Sequence, residues 1–406
     1  MLSRDVSLEE EETLRICLVS GTYPPAHCGV GDYTEMLAEA LVDRGADVSV
    51  LTSSYLGSQP RSANPQVLPA VKSWGMPEAF KVLRFILKTR PDIIHFQFPT
   101  TQYYAHRLFD LLVPVLRLWP KRSKLVVTLH EPISVRKSFV PGLFRPLRHW
   151  LSCRWAHAII VVDQSYREKF SGVSRRMHQL PCKEIPIASN IPISPMTRSD
   201  LQKLREQAGI AKDAVLLSYF GFIQPRKGFE QVLDVLALLR NRGVPAELIV
   251  VGELSENNPY HRELLGRVAN EHLERFVKVL GHVDRFAAAD YLAMSDACVL
   301  PFLEGLHPKR GSFLAAAQQG ILVVTTSTTK RQLVPDENVY YAKPGDVEEL
   351  ALGVQLYSGR RVPSGSFPWR SWKLIAEEHF ELFEQILRAS SKAQYRPASR
   401  RAGTIT

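Results

Sequence analysis

The sequence predicts an α/β protein built from two doubly wound parallel sheets. Short runs rich in Val, Ile and Leu recur along the chain, and each is followed by a stretch of helical periodicity. A proline-rich segment without periodicity divides these pairs into two sets. Strands that are apolar throughout, rather than alternating apolar and polar, are those of parallel sheets covered by helices on both faces. A chain of 406 residues is long enough for two cores of ordinary size.

The elements follow in order. Residues 1–13, which include four consecutive glutamates at Glu9 to Glu12, read as a flexible N-terminal segment. The first set of strands is LRICLVSG (14–21), ADVSVLTS (46–53), DIIHFQ (92–97), KLVVTLH (124–130) and AHAIIVVD (156–163), and it defines a domain over 14–192. The break falls in CKEIPIASNIPISPMTRSD (182–200), with a hinge expected near Pro192 to Ser199. The second set is AVLLSYFGF (214–222), AELIVVG (246–252), VKVLG (277–281), DACVLPF (296–302) and GILVVTT (320–326), defining a domain over 193–371. SWKLIAEEHFELFEQIL (371–387) spaces Leu374, Ile375, Phe380, Leu382, Phe383, Ile386 and Leu387 as one buried stripe, which predicts a helix over 372–388. The basic tail 389–406 has no periodicity and is expected to be disordered.

Composition excludes several classes. Hydrophobic residues at 45% and charged residues at 23% are close to the globular average, which argues against disorder, collagen-like repeats and a coiled coil. The best candidate for a membrane span, Leu108 to Trp119, is too short and is interrupted by Asp110, Pro114 and Arg117. The acidic opening is the reverse of a secretory signal, so a cytoplasmic location is expected. Five scattered cysteines without a CxxC spacing argue against a disulfide framework and a zinc site.

The net charge of +10 is concentrated in residues 101–180, which hold 14 basic and four acidic residues; the rest of the chain is neutral. Such a block is either a solvated face or a surface for an anionic partner. No nucleic-acid-binding signature accompanies it, so nucleic acid is not expected as a partner. SVRKSFVPGLFRPLRHWLSCRW (134–155) interleaves Arg136, Lys137, Arg145 and Arg148 with Phe139, Phe144, Trp150 and Trp155, a mixture suited to an anionic membrane surface or a lipid-linked acceptor.

Ligands of open α/β sheets bind beyond the carboxyl ends of strands, so the loops there carry the candidates. After the first strand, Gly29-Val30-Gly31 opens a helix. It is either an anion seat of backbone N–H groups or a tight turn. It is not GxGxxG, which disfavours a dinucleotide cofactor. His130 ends a strand, as a site residue or as a loop hydrogen-bonder. Arg226 and Lys227 precede a helix, where two cations oppose the helix dipole unless an anion binds between them. Glu304 follows a strand and either accepts hydroxyl hydrogen bonds or pairs with Lys309 or Arg310. Arg310 and Ser312, with Ser312 as an expected N-cap, form a possible second anion seat.

The ordered set of these loops resembles the retaining glycosyltransferases of GT-B fold in the large family 4 (group 1) class. The resemblance covers about residues 14–388. YPPAHCGVGDYTEMLAEAL is similar to the family's glycine-rich loop, VVTLHE to its active-site histidine strand, and FGFIQPRKG to the loop of its diphosphate-binding lysine. IVVGE, VLGHV and ACVLPFLEG follow in the family's order. The resemblance implies two Rossmann-like domains facing a central cleft, with an acceptor-side N-terminal domain, a C-terminal domain for the nucleotide sugar, and a last helix crossing back to the first domain.

It further implies transfer of a sugar from a nucleotide-diphosphate donor to an acceptor hydroxyl, with retention. His130, Lys227 and Glu304 take the catalytic positions, and Gly29, Gly31, Arg226, Lys227, Arg310 and Ser312 the diphosphate. No cofactor and no metal are implied, and the acceptor is a glycan or lipid-linked group. Two departures stand out: Phe222 occupies the place of a family arginine, and Ala315 that of a second glutamate, so Ser312 or Glu304 would hold the ribose. The rival reading suggested by these departures is a GT-B protein that binds a sugar nucleotide or glycan without turnover.

Overall fold

The protein is described from a computed structural model, which covers residues 13–26, 28–54, 59–72, 74, 78–98, 108–118, 123–131, 153–166, 180–307, 309–366 and 371–394. The chain divides into two units, residues 1–187 with 370–406, and residues 188–369. Arg136, Lys137, Arg145 and Arg148 lie outside the described residues. No described helix is long and apolar enough to cross a membrane.

In the first unit the described strands are β1 (Arg15–Ser20), β2 (Asp47–Ser53), β3 (Gln66–Val71), β4 (Ile93–Phe98), β5 (Lys124–Leu129), β6 (Ala158–Val161) and β7 (Cys182–Glu184). They pair in parallel in the order β3-β2-β1-β4-β5-β6-β7. In the second unit they are β8 (Val215–Phe220), β9 (Ala246–Val251), β10 (Val277–Val279), β11 (Ala297–Leu300), β12 (Leu322–Thr326), β13 (Gln332–Val334) and β14 (Val339–Ala342). Their order is β10-β9-β8-β11-β12-β14-β13, parallel except for β13. Strand order reverses between β1 and β4 in one sheet and between β8 and β11 in the other, and such switch points leave a crevice at the strands' carboxyl ends.

The inner strands are the continuous apolar runs, and β4 and β9 are buried at every residue. The four strands that the sequence analysis does not anticipate, β3, β7, β13 and β14, lie at or next to sheet edges. They are short or interrupted: β3 contains Pro69, and β7 is the three residues Cys-Lys-Glu. The edge strands β3, β7 and β13 pack less side chain, so their apolar signal is weaker, whereas β14 is buried at every residue but is only four residues long.

The division between the units falls after Ile187, ahead of the expected hinge at Pro192 to Ser199. The reason is local hydrogen bonding. Gln319 donates to the carbonyl of Pro192 and accepts from the Ser194 amide, and the Ser194 hydroxyl donates to Asp290 at 2.6 Å. These bonds tie the segment to the second unit.

Helix α1 (Gly29–Asp43) packs against the final helix of the chain, Trp372–Gln394. That helix runs to Gln394, six residues beyond its expected end, because Ala, Ser and Lys continue it without a breaker. Its buried stripe is Ile375, His379, Leu382, Phe383 and Ile386, whereas Leu374 is exposed. Lys183 on β7 donates to the Glu378 carbonyl and pairs with Glu381 at 2.9 Å, which holds the helix along the sheet edge.

Candidate active site

In the second unit, the β8 strand ends at Phe220 and leads through Gly221 and a short turn, Pro225–Lys227, into a helix over Phe229–Asn241. Gly228 joins turn and helix at φ +71, in the left-handed region that costs other residues about 1–2 kcal/mol. A Cβ there would lie 2.2 Å from the Pro301 carbonyl oxygen. This close approach brings the loop after β11 against the turn, and the Leu303 amide reaches the Arg226 carbonyl at 3.4 Å. The two strands flanking the switch point therefore present their loops side by side.

Three of the expected site residues, Lys227, Ser312 and Arg310, meet here. A Cβ built on Gly221 would lie 3.6 Å from the Lys227 Nζ and 3.4 Å from the Ser312 Cβ, so ammonium and hydroxymethyl share the space over that glycine. Burial, and then the Arg310 guanidinium, lower the Lys227 ammonium to about 8. Arg310 lies 5.0 Å from the centre of the Phe302 ring, and its Nε is buried without a hydrogen-bond partner. A buried cation with a lowered pKa beside a second cation is an arrangement that an anion would relieve. The Lys227 Nζ also lies 5.4 Å from the ring of Phe222, which is half exposed.

Glu304 pairs with Arg226 at 3.6 Å, both well exposed, rather than with Lys309 or Arg310 as the sequence suggested. The Gly228 contact is the cause, since it carries Arg226 to the start of the Glu304 loop. Ser312 is not the N-cap. Helix Gly311–Ala317 begins two residues earlier than such a cap would set, with extended Arg310 in the cap position and no side-chain cap bond, which leaves the hydroxyl of Ser312 near Gly221. Ala315 is completely buried in that helix.

In the first unit, Gly29 opens α1 in open space, whereas Gly31 is packed on backbone: a Cβ there would lie 3.1 Å from the Tyr23 nitrogen. The cap residue Cys28 makes no side-chain bond. Asp32, in the first turn, has its carboxyl pushed up to about 6 by burial and by Glu35. Its ionised form would oppose an anion at this helix start, and no spacing in the chain marks it.

His130 extends the β5 ladder through its amide, which donates to the Phe98 carbonyl at 2.6 Å. Its Nε2 lies 2.9 Å from the Gln97 Oε1. The Tyr33 ring meets the His130 ring edge-on at 4.6 Å, and Trp372 meets Tyr33 at 5.2 Å. His95 and Gln97 lie two residues apart on β4 and so project to one face. His95 contacts the Thr128 hydroxyl at 2.7 Å and Gln97 at 3.4 Å. Burial, with His379 and His130 nearby, holds His95 well below the usual imidazole range. The sequence signal that could have found this cluster is the pair of polar residues in the otherwise apolar run DIIHFQ.

Comparison with known proteins agrees with this architecture. The family model described as Glycosyltransferase Family 4 matches residues 28–182, and that described as Glycosyl transferases group 1 matches residues 214–356. The EpsD protein of Bacillus subtilis (strain 168), provisionally named a glycosyltransferase, is 25% identical over 223 residues, 53% of this chain and 55% of that protein. The chain thus spans about half the length of that curated relative.

Among solved structures, a sucrose-phosphate synthase from Thermosynechococcus elongatus superposes with a TM-score of 0.69 at 19% identity, covering 92% of this chain and all of that one. The HepE protein of Anabaena, in complex with UDP and glucose, superposes with a TM-score of 0.64 at 19% identity, covering 94% and 99%. With two parallel-sheet domains and both family models in sequence order, the chain belongs to the family 4 (group 1) glycosyltransferases of GT-B fold.

Proposed function

We propose that the protein transfers a sugar from a nucleotide-diphosphate sugar to an acceptor hydroxyl with retention of configuration, in the synthesis of a glycan, polysaccharide or glycolipid. The observation that carries this is the Lys227 ammonium set over Gly221 beside Ser312 and near Arg310. In the reaction the bond between the anomeric carbon and the diphosphate breaks with its electron pair staying on the leaving group, the acceptor oxygen bonds to the anomeric carbon, and the hydroxyl proton passes to the departing diphosphate. Lys227, Arg310 and Arg226 stabilise that growing charge. His130, held by Gln97 and Tyr33, faces the transferred sugar and positions it. Glu304 accepts hydroxyl hydrogen bonds, and Ser312 takes the place of a ribose carboxylate. Three cations suffice to neutralise a diphosphate, so we propose that turnover needs no metal.

The HepE complexes hold UDP and glucose, which makes UDP-sugars the first donors to try. The acceptor is proposed to be a glycan or lipid-linked group. The basic residues of 134–155 would draw the protein to its anionic carrier at the inner face of the membrane.

The test incubates the protein with UDP-, GDP- and ADP-sugars, with and without acceptor extract and EDTA. It measures release of nucleotide diphosphate and the anomeric configuration of the product. Acceptor-dependent release that survives EDTA is expected. Binding of a nucleotide sugar without release under any condition would overturn the assignment and leave a GT-B binding protein.

A further inference from the structure

In the first unit, a row of buried polar side chains runs from the final helix to His130. His379, His95, Thr128 and Gln97 are each fully buried. Their proton positions can be deduced from groups with only one possible role.

At the helix end, the His379 Nδ1 lies 2.7 Å from the Ile375 carbonyl oxygen, which only accepts, so Nδ1 carries the proton. Burial lowers this imidazole to about 4, so the ring is neutral and its Nε2 is an acceptor. That Nε2 is buried and has no partner. The His95 ring lies 5.4 Å away, centre to centre, and its Nδ1 is also buried and unpartnered.

Only one assignment lets these two nitrogens complement each other: His95 protonated on Nδ1, with Nε2 accepting. The Thr128 hydroxyl at 2.7 Å then donates to that Nε2, and the Gln97 amide nitrogen shares the same lone pair at the longer distance of 3.4 Å. With its nitrogen towards His95, Gln97 turns its oxygen towards the His130 Nε2 at 2.9 Å, which must therefore carry a proton. The opposite amide orientation would leave two lone pairs facing each other between His95 and His379, in a site lined by Phe383.

We propose that His379 and His95 act as positioning residues which, through Gln97, keep a proton on the His130 Nε2 that faces the Gln97 oxygen. The gap between His379 and His95 closes by a small rotation of the rings. The consequence for catalysis rests on the reading of His130 as the residue that faces the transferred sugar. The tautomer assignment does not.

The test is long-range 1H–15N correlation spectroscopy of the full chain labelled with 15N-histidine, with signals assigned by single substitutions. Nδ1 protonation of His95 and His379 and Nε2 protonation of His130 are expected. In Gln97→Leu, His130 should become a mixture of tautomers and turnover should fall about tenfold at unchanged donor KM. In Gln97→Glu, which keeps an acceptor towards His130, the Nε2-protonated form should persist. His379→Leu should disturb the tautomer as Gln97→Leu does.

A His130 ring without a proton on Nε2 in the wild type, or one unaltered in both Gln97→Leu and His379→Leu, would overturn the proposal. If His379→Leu does not fold, the wild-type spectrum and the two Gln97 variants decide it. Expected spectra without any transferase activity would leave the relay standing and overturn the functional reading instead.

Discussion

Gly228 and Pro301 face each other so closely that a single added Cβ would fall 2.2 Å from the carbonyl oxygen. This contact joins the loops after β8 and β11, and with them Arg226 and Glu304. Gly228→Ala should therefore strain both the left-handed φ and the loop contact, and should destabilise the protein by about 2 kcal/mol or more. Calorimetry should show a lower melting temperature together with weaker nucleotide binding. An unchanged melting temperature would show that the turn relaxes at no cost.

Lys227→Ala should lower turnover by about two to three orders of magnitude, as loss of a charge-stabilising donor does, without lowering the melting temperature. The wild type should also lose affinity for nucleotide diphosphate as pH rises through about 8, where the ammonium loses its proton. The sign for stability is opposite. The folded pKa lies below the ordinary 10.5, so the unfolded chain binds more protons between the two values, and Lys227 favours folding more as pH rises across that window. Arg310→Gln should move the affinity midpoint upward by removing the neighbouring cation. Titration calorimetry across pH 6.5–9.5 checks both.

Glu304→Gln should reduce turnover or donor affinity while costing less than about 1 kcal/mol of stability, because its pairing with Arg226 is solvent-exposed. A fall in melting temperature with unchanged kinetics would make the carboxylate structural.

Restoring the family's second glutamate should fail. Ala315→Glu would put a carboxylate at a fully buried helix position, at a cost of several kcal/mol without a partner. The variant should be insoluble or melt well below the wild type, and activity gained in a stable variant would refute this.

Reversing Arg136, Lys137, Arg145 and Arg148 to glutamate should abolish sedimentation with anionic liposomes and leave nucleotide binding intact. Each cation near an anionic surface contributes on the order of 1 kcal/mol, screened by salt. Wild-type binding should accordingly fade as salt rises, and equal binding to neutral liposomes would refute an electrostatic attachment.

The sequence by itself determined the fold class, the inner strands of both sheets apart from β14, and the loops that bear Lys227, Glu304 and His130. Continuous apolar runs and glycine-bearing turns are local signals, and residues such as Val324 or Leu248 announce their burial by type. It did not determine β3, β7 and β13, edge strands whose weaker packing leaves a weaker pattern, or the end of the first unit, which depends on hydrogen bonds between Gln319 and residues more than 120 positions away.

Only the tertiary structure decided which charges meet. Glu304 faces Arg226 instead of its sequence neighbours because Gly228 admits the Pro301 carbonyl. The surroundings of His130 were likewise illegible. Gln97, Tyr33 and His379 come from β4, α1 and the last helix, and no spacing in the chain relates residues that are brought together by strand order and helix packing.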